Sequence, residues 1–169
     1  MSLRAQTGLT FVELLVGAFI LLVGIGAMFA AFLGQTNLNE HSRNHSWALH
    51  DAGRVMERLR QQNTGAGCAA PSVAAPGGFA SWDAWLADTG ANGGGGKTVQ
   101  PTPATNELIV LSPSGVDPIT VTVAVCWRSR GRVIGECLWN GAALVPNDAD
   151  ANGTFTSPTM LSTRLTCRQ

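Results

Sequence analysis

Three groups of residues in this chain have the types and spacing to do chemistry. The first is a lone carboxylate, Glu13, at the edge of an unbroken apolar run from Leu14 to Leu33. An unpaired carboxylate facing lipid costs roughly 2.5–3.5 kcal/mol at the centre of a span and less near its end. Glu13 therefore needs either a cationic partner or a path by which it snorkels to the headgroups. The second group is Asp148-Ala149-Asp150-Ala151-Asn152-Gly153. It matches the first half of an EF-hand loop, with oxygen ligands at alternate positions and glycine at the sixth. Thr159 stands at the twelfth position, where a bidentate glutamate belongs. Calcium at Asp148, Asp150 and Asn152 would need further ligands from elsewhere in the chain; otherwise the segment is an Asx-rich turn. The third group is the four cysteines, Cys68, Cys126, Cys137 and Cys167. An even number in a small exported domain reads as two disulfides, and four cysteines permit three pairings.

Other candidates point away from catalysis. His41 and His45 are one helical turn apart, but Ser42 follows His41, so there is no HExxH-type glutamate. The pair reads as a solvated or subunit-facing helix surface and not as a metal site. Residues 64–169 contain no histidine, and no GxSxG or paired-carboxylate context stands out, so an enzyme is not expected. Gly93–Gly96 lacks the strand-to-helix context of a phosphate loop and reads as a flexible tip. Net charge is zero and 13% of residues are charged, so no basic field invites nucleic acid. Trp82 and Trp85 could pack in a core or contact a sugar or partner.

The elements that must position these residues follow from pattern. The chain has 169 residues, and its apolar run from Leu14 to Leu33 makes a helix of about 30 Å, enough to cross a bilayer. Arg4 precedes the run and the first cation after it is Arg43, which places the N-terminus inside and the rest outside. Leu38, Trp47, Ala48, Leu49, Ala52, Val55, Met56 and Leu59 then recur at three- and four-residue steps, an amphipathic continuation of the helix. Asn63-Thr64-Gly65 ends it. Residues 64–106, rich in Gly, Ala, Pro and Thr, are expected to be irregular except for a short helix, Trp82–Leu86, capped by Ser81.

Strand signals begin at Glu107–Ser112 and are clearest from Ile119 to Trp127, where Val121, Val123 and Val125 alternate with Thr120, Thr122 and Ala124. Ser129–Arg132 makes a turn, Val133–Trp139 returns, and Met160–Cys167 is the last strand. A hairpin centred between Gly131 and Arg132 puts Cys126 opposite Cys137 at bridging distance, which leaves Cys68 with Cys167 by elimination. The expected fold class is α+β. A long N-terminal helix lays its outer half on a three- or four-stranded antiparallel sheet, with the odd-numbered face from Ile119 to Trp127 against Ala48, Ala52, Val55, Met56 and Leu59.

Gly8-Leu9-Thr10-Phe11-Val12-Glu13, followed by the apolar helix, resembles the type III signal of type IV pilins and type II secretion pseudopilins. The resemblance implies cleavage after Gly8 by a membrane-embedded prepilin peptidase and methylation of the new N-terminus at Leu9, which stands where the family prefers phenylalanine. It also implies pairing of Glu13 with the terminal amine of a neighbouring subunit. Residues 1–8 would be the leader, 9–33 the transmembrane and filament-core helix, 34–63 the amphipathic helix of the head, and 64–169 the disulfide-bonded head of a pilin-like fold. The stem Val55-Met56-Glu57-Arg58-Leu59-Arg60 and the strand containing Arg164 look most like PilV-type minor pilins. That implies an inner-membrane, single-pass protein with a periplasmic head that later joins an extracellular pilus beside a major pilin and other minor pilins. A minor pseudopilin of type II secretion and a membrane-tethered adhesin head are the alternatives.

Overall fold

No proline falls between Phe11 and Gln62, and this stretch forms one α-helix, α1. The structure is a computed structural model and describes residues 10–65, 68, 70–99, 104–116 and 118–166. The chain divides into two compact units, 1–42 and 43–169, and the boundary falls within α1. In the first unit every side chain from Phe11 to Leu33 is exposed, and the helix is long and apolar enough to cross a membrane.

In the second unit the same helix turns one stripe inward. Ala48, Ala52, Val55, Met56 and Leu59 are buried against Val121, Val123, Val125 and Trp127 of the sheet, as the sequence pattern predicts. Beyond α1 come α2 (Trp82–Ala87), a 3-10 turn (Ala104–Asn106), β1 (Glu107–Ser114), β2 (Ile119–Ser129), β3 (Arg132–Ile134), β4 (Cys137–Trp139), β5 (Leu144–Pro146) and β6 (Met160–Leu165). The fold is therefore α+β, a long N-terminal helix with small antiparallel sheets.

β2 is the centre of the four-stranded sheet. β1 pairs along one edge from Glu107↔Trp127 to Ser114↔Thr120. Two strands share the other edge, β6 along Ile119–Ala124 and β3 along Trp127–Ser129. In the gap between them the Val125 N–H donates to the Thr159 carbonyl at 3.1 Å, so the ladder stays satisfied.

One expectation about this region needs correction. The hairpin is centred one residue earlier than its sequence suggested: Ser129 pairs with Arg132, and Arg130 and Gly131 form the turn at φ 50° and 79°. Two central residues at positive φ match the right-handed twist of the flanking strands, and Gly131 adopts its conformation without strain. In that register Cys126 faces Gly135 and not Cys137. The chain leaves the sheet at Gly135 (φ 97°), and β4 pairs instead with β5 in a separate two-stranded sheet.

The Cys126–Cys137 disulfide nonetheless forms, with the Cα atoms 6.2 Å apart, and it ties the two sheets together. The face of β2 opposite α1 is covered as well: Cys126 packs with Val110, Cys137 and Leu144, flanked by Trp139 and Phe155. The Arg128 guanidinium lies 4.3 Å from the centroid of Trp139, which extends this second small core.

The other expected bridge is partly visible. Cys68 is disulfide-bonded, with its Sγ 4.0 Å from the carbonyl oxygen of Thr166; Cys167 lies outside the described residues. A side chain grafted at Gly135 would put its Cβ 2.8 Å from Cys126 Sγ in a backbone conformation that L residues avoid. We predict that Gly135→Ala destabilises the head by about 1–3 kcal/mol in urea unfolding. Gly77→Ala, which meets open space, should change it by no more than about 0.5 kcal/mol.

Candidate functional site

The N-terminal end of α1 is built around Thr10 and Glu13. Thr10 precedes the first helical residue and its Oγ1 accepts from the Glu13 backbone N–H at 3.4 Å. The Glu13 carboxylate reaches back to the Thr10 N–H and hydroxyl, both at 3.4 Å. This reciprocal pair is a capping box, which satisfies helix donors that have no carbonyl partner of their own. An acid in the first turn also suits the positive end of the helix dipole. Glu13 thus has a local role in its own chain. The spacing Thr-x-x-Glu before an apolar run is the signal that finds it. The expected cleavage residues, Gly8 and Leu9, lie outside the described residues.

The other sequence candidates are not brought together. Both oxygens of Asp148 accept from backbone of their own loop, Oδ1 from Asn152 N–H at 3.2 Å and Oδ2 from Gly153 N–H at 2.7 Å. Asn152 Oδ1 accepts from Thr154 N–H at 2.7 Å. The segment is an Asx turn closed on itself. Thr159, at the position of the EF-hand glutamate, is buried beside β2. His45 Nε2 lies 3.2 Å from the Pro158 carbonyl, and His50 Nδ1 lies 3.6 Å from Asp51. Among the described residues no group of three or more His, Cys, Asp or Glu is arranged to hold a metal. Trp82 and Trp85 are core residues packed edge to face, and their indole N–H groups donate to the Val73 and Asn92 carbonyls.

Sequence reasoning missed the polar cluster that anchors the head. Asp51 sits in the buried stripe of α1, fully inaccessible, and accepts from Thr98 N–H (2.7 Å), the Thr98 hydroxyl (2.8 Å) and Arg54. Arg54 also donates to the carbonyls of Gly94 and Gly96. Lys97 pairs with Asp83 at 2.7 Å and donates to the Glu107 carbonyl at 2.6 Å, while Asp83 accepts from the Ile109 N–H. Glu107 opens β1, and its Oε2 accepts from Val99 N–H at 3.2 Å. Five ionisable side chains thereby fasten α1, α2, the glycine-rich loop and β1 to one another.

That arrangement also corrects the reading of Gly93–Gly96 as a flexible tip. A Cβ at Gly93 would fall 2.3 Å from the Asp88 carbonyl oxygen, and one at Gly94 would fall 2.6 Å from Leu86 Cα. The glycines are there because backbone lies against backbone.

Two buried carboxyls in one cluster cannot both ionise cheaply. Burial, the Asp51 charge and the hydrogen bond to Asp51 push the Glu107 carboxyl up to about 9, so it is neutral at pH 7 and donates its proton to the Asp51 carboxylate. Burial would raise Asp51 too, but hydrogen bonds from Glu107, Thr98 and Arg54 outweigh it and hold Asp51 below the ordinary carboxylate range.

No family model matches the chain, and no curated protein or solved structure matches it.

Glu107 keeps a proton in the folded head that it loses on unfolding. Its contribution to stability is therefore complete below its ordinary value of 4.5 and is lost as the pH rises to about 9. Asp51 acts in the opposite sense, at pH values below 3.8. We predict that Glu107→Gln, which keeps a donor for Asp51 and an acceptor for Val99, flattens the fall of melting temperature with rising pH. Near pH 8 the variant should be the more stable protein. Parallel slopes for the two proteins would rule out Glu107 as the group responsible.

Proposed function

We propose that this chain is a minor pilin, made as a membrane-inserted precursor, cut after Gly8 by a prepilin peptidase and built into a type IV pilus with a major pilin and other minor pilins. Its place would be the tip or the assembly-initiating complex, and its work assembly and not turnover. The observation that carries the reading is the apolar surface of α1: from Phe11 to Leu33 it is exposed on every side, with one acid at its start. A helix of this kind needs an apolar surrounding at every stage. Lipid supplies it before assembly, and the packed helices of a filament supply it afterwards.

Glu13 fits both stages. Within its own chain the carboxylate is partly satisfied by the Thr10 N–H and hydroxyl, at distances long enough to be weak. An ammonium released by cleavage on a neighbouring subunit is a stronger, charge-assisted partner in low dielectric. Exchange of the first partner for the second would fix the axial stagger of adjacent subunits. The tethered-adhesin alternative loses its aromatic platform, since Trp82 and Trp85 are buried.

Two measurements test this. Intact-mass and N-terminal analysis of the chain recovered from membranes should show a species that begins at methylated Leu9; recovery of only the uncut chain from extracellular material would end the proposal. We further predict that Glu13→Val inserts into the membrane as wild type does but is depleted from sheared fibres by about tenfold, the equivalent of a 1.4 kcal/mol loss. Equal incorporation would remove Glu13 from the assembly step.

A further inference from the structure

The turn that follows β5 carries a reactive dipeptide. Asn152 and Gly153 are both exposed, Gly153 has no side chain and a φ of 73°, and open space surrounds the position where its Cβ would be. Loss of the asparagine amide requires the following backbone nitrogen to attack the side-chain carbonyl carbon. Such an attack is slow because a peptide N–H gives up its proton reluctantly. Here Asp148 Oδ2 accepts from that N–H at 2.7 Å, in the position of a general base. On the other side, Thr154 N–H donates to Asn152 Oδ1 at 2.7 Å and polarises the carbonyl under attack.

We infer that Asn152-Gly153 is a self-modifying site, at which the Asp148 carboxylate promotes conversion of Asn152 to aspartate and isoaspartate through a succinimide. The Gly153 nitrogen bonds to Asn152 Cγ and its proton passes to Asp148. The bond from Cγ to the amide nitrogen then breaks, and ammonia leaves with that proton into solvent. Water adds to one of the two ring carbonyls, and the ring opens to either acid. No oxidant, metal or second protein is consumed. The product carries one more negative charge, in a loop that already holds Asp148 and Asp150.

The chain contains two further Asn-Gly pairs, and their surroundings differ in the features that matter. At Asn140-Gly141 the side-chain oxygen is polarised as well, by the Ala142 and Ala143 N–H groups at 2.9 Å, so the difference lies in the base: among the described residues no carboxylate accepts from the Gly141 N–H. At Asn92-Gly93 the Gly93 N–H donates to the Gly90 carbonyl, and the backbone there is wedged against Asp88. The structure therefore ranks the three sites: Asn152 first, Asn140 second, Asn92 last.

The test uses the full chain in detergent, held at neutral pH and sampled over time by peptide mapping with isoaspartate detection. Asn152 should convert before Asn140, with Asn92 intact. Asp148→Asn should slow conversion at Asn152 by about tenfold while the rate at Asn140 stays the same. In concentrated urea the three rates should converge, because the ranking comes from the fold. A rate at Asn152 no greater than at Asn140 would overturn the inference, as would a rate unchanged or raised by Asp148→Asn, or an order that persists in urea.

Discussion

The head depends on the contact between one stripe of α1 and one face of β2. Ala48 and Ala52 are small enough to let the helix axis come close to the sheet, and Val121, Val123, Val125 and Trp127 fill the space left beside them. Each buried side chain of valine size or larger contributes on the order of 1.5–3 kcal/mol, which is the main favourable term for a domain of this size. Everything else is arranged around that contact. β1 covers one edge of β2, while β3 and β6 divide the other. The disulfide-linked β4–β5 pair closes the face that α1 leaves uncovered.

The polar cluster complements this core because it acts where hydrophobic contact is least directional. Asp51 belongs to the same helical stripe as Ala48, Ala52 and Val55, and it fixes which part of the glycine-rich loop lies over α1. Buried ion pairs add little net stability, since desolvation offsets most of their attraction. Their effect is on register: Arg54 holds the Gly94 and Gly96 carbonyls of the loop at once. Neutral Glu107 belongs to the same logic. It satisfies Asp51 with a proton where another cation would have needed room.

The sequence was most legible where a single period ran uninterrupted. The apolar run from Leu14 to Leu33, the stripe from Ala48 to Leu59 and the alternation from Ile119 to Trp127 all became the elements their spacing requires. Ser81 capped α2 for the local reason that its side chain can reach the Ala84 N–H. The failures have a common cause, which is that non-local contacts leave no period. Nothing between Val133 and Trp139 announces that Gly135 will take the chain off the sheet, because the decisive neighbour, Cys126, lies nine positions away across the ladder. The cluster of Asp51, Arg54, Asp83, Lys97 and Glu107 draws its members from four elements. One visible hint was a charged residue in the apolar phase of α1, and Asp51 is that residue. At the N-terminus, the Thr10-x-x-Glu13 spacing carries the capping box in its residue types alone, because both partners lie within one helical turn.

The tight seating of Gly93–Gly96 constrains how this head can diverge. A single inserted residue there would displace both carbonyls that Arg54 grips, and any side chain at Gly93 or Gly94 would collide with main chain. Drift in length and composition must then be accommodated elsewhere, and the exposed turns around Asn140 and from Asp148 to Gly153 are the segments with room for it. Related heads would accordingly share the glycine-rich loop and differ in the turns beside β5. Antibodies raised against one such head would discriminate among its relatives mainly through those turns.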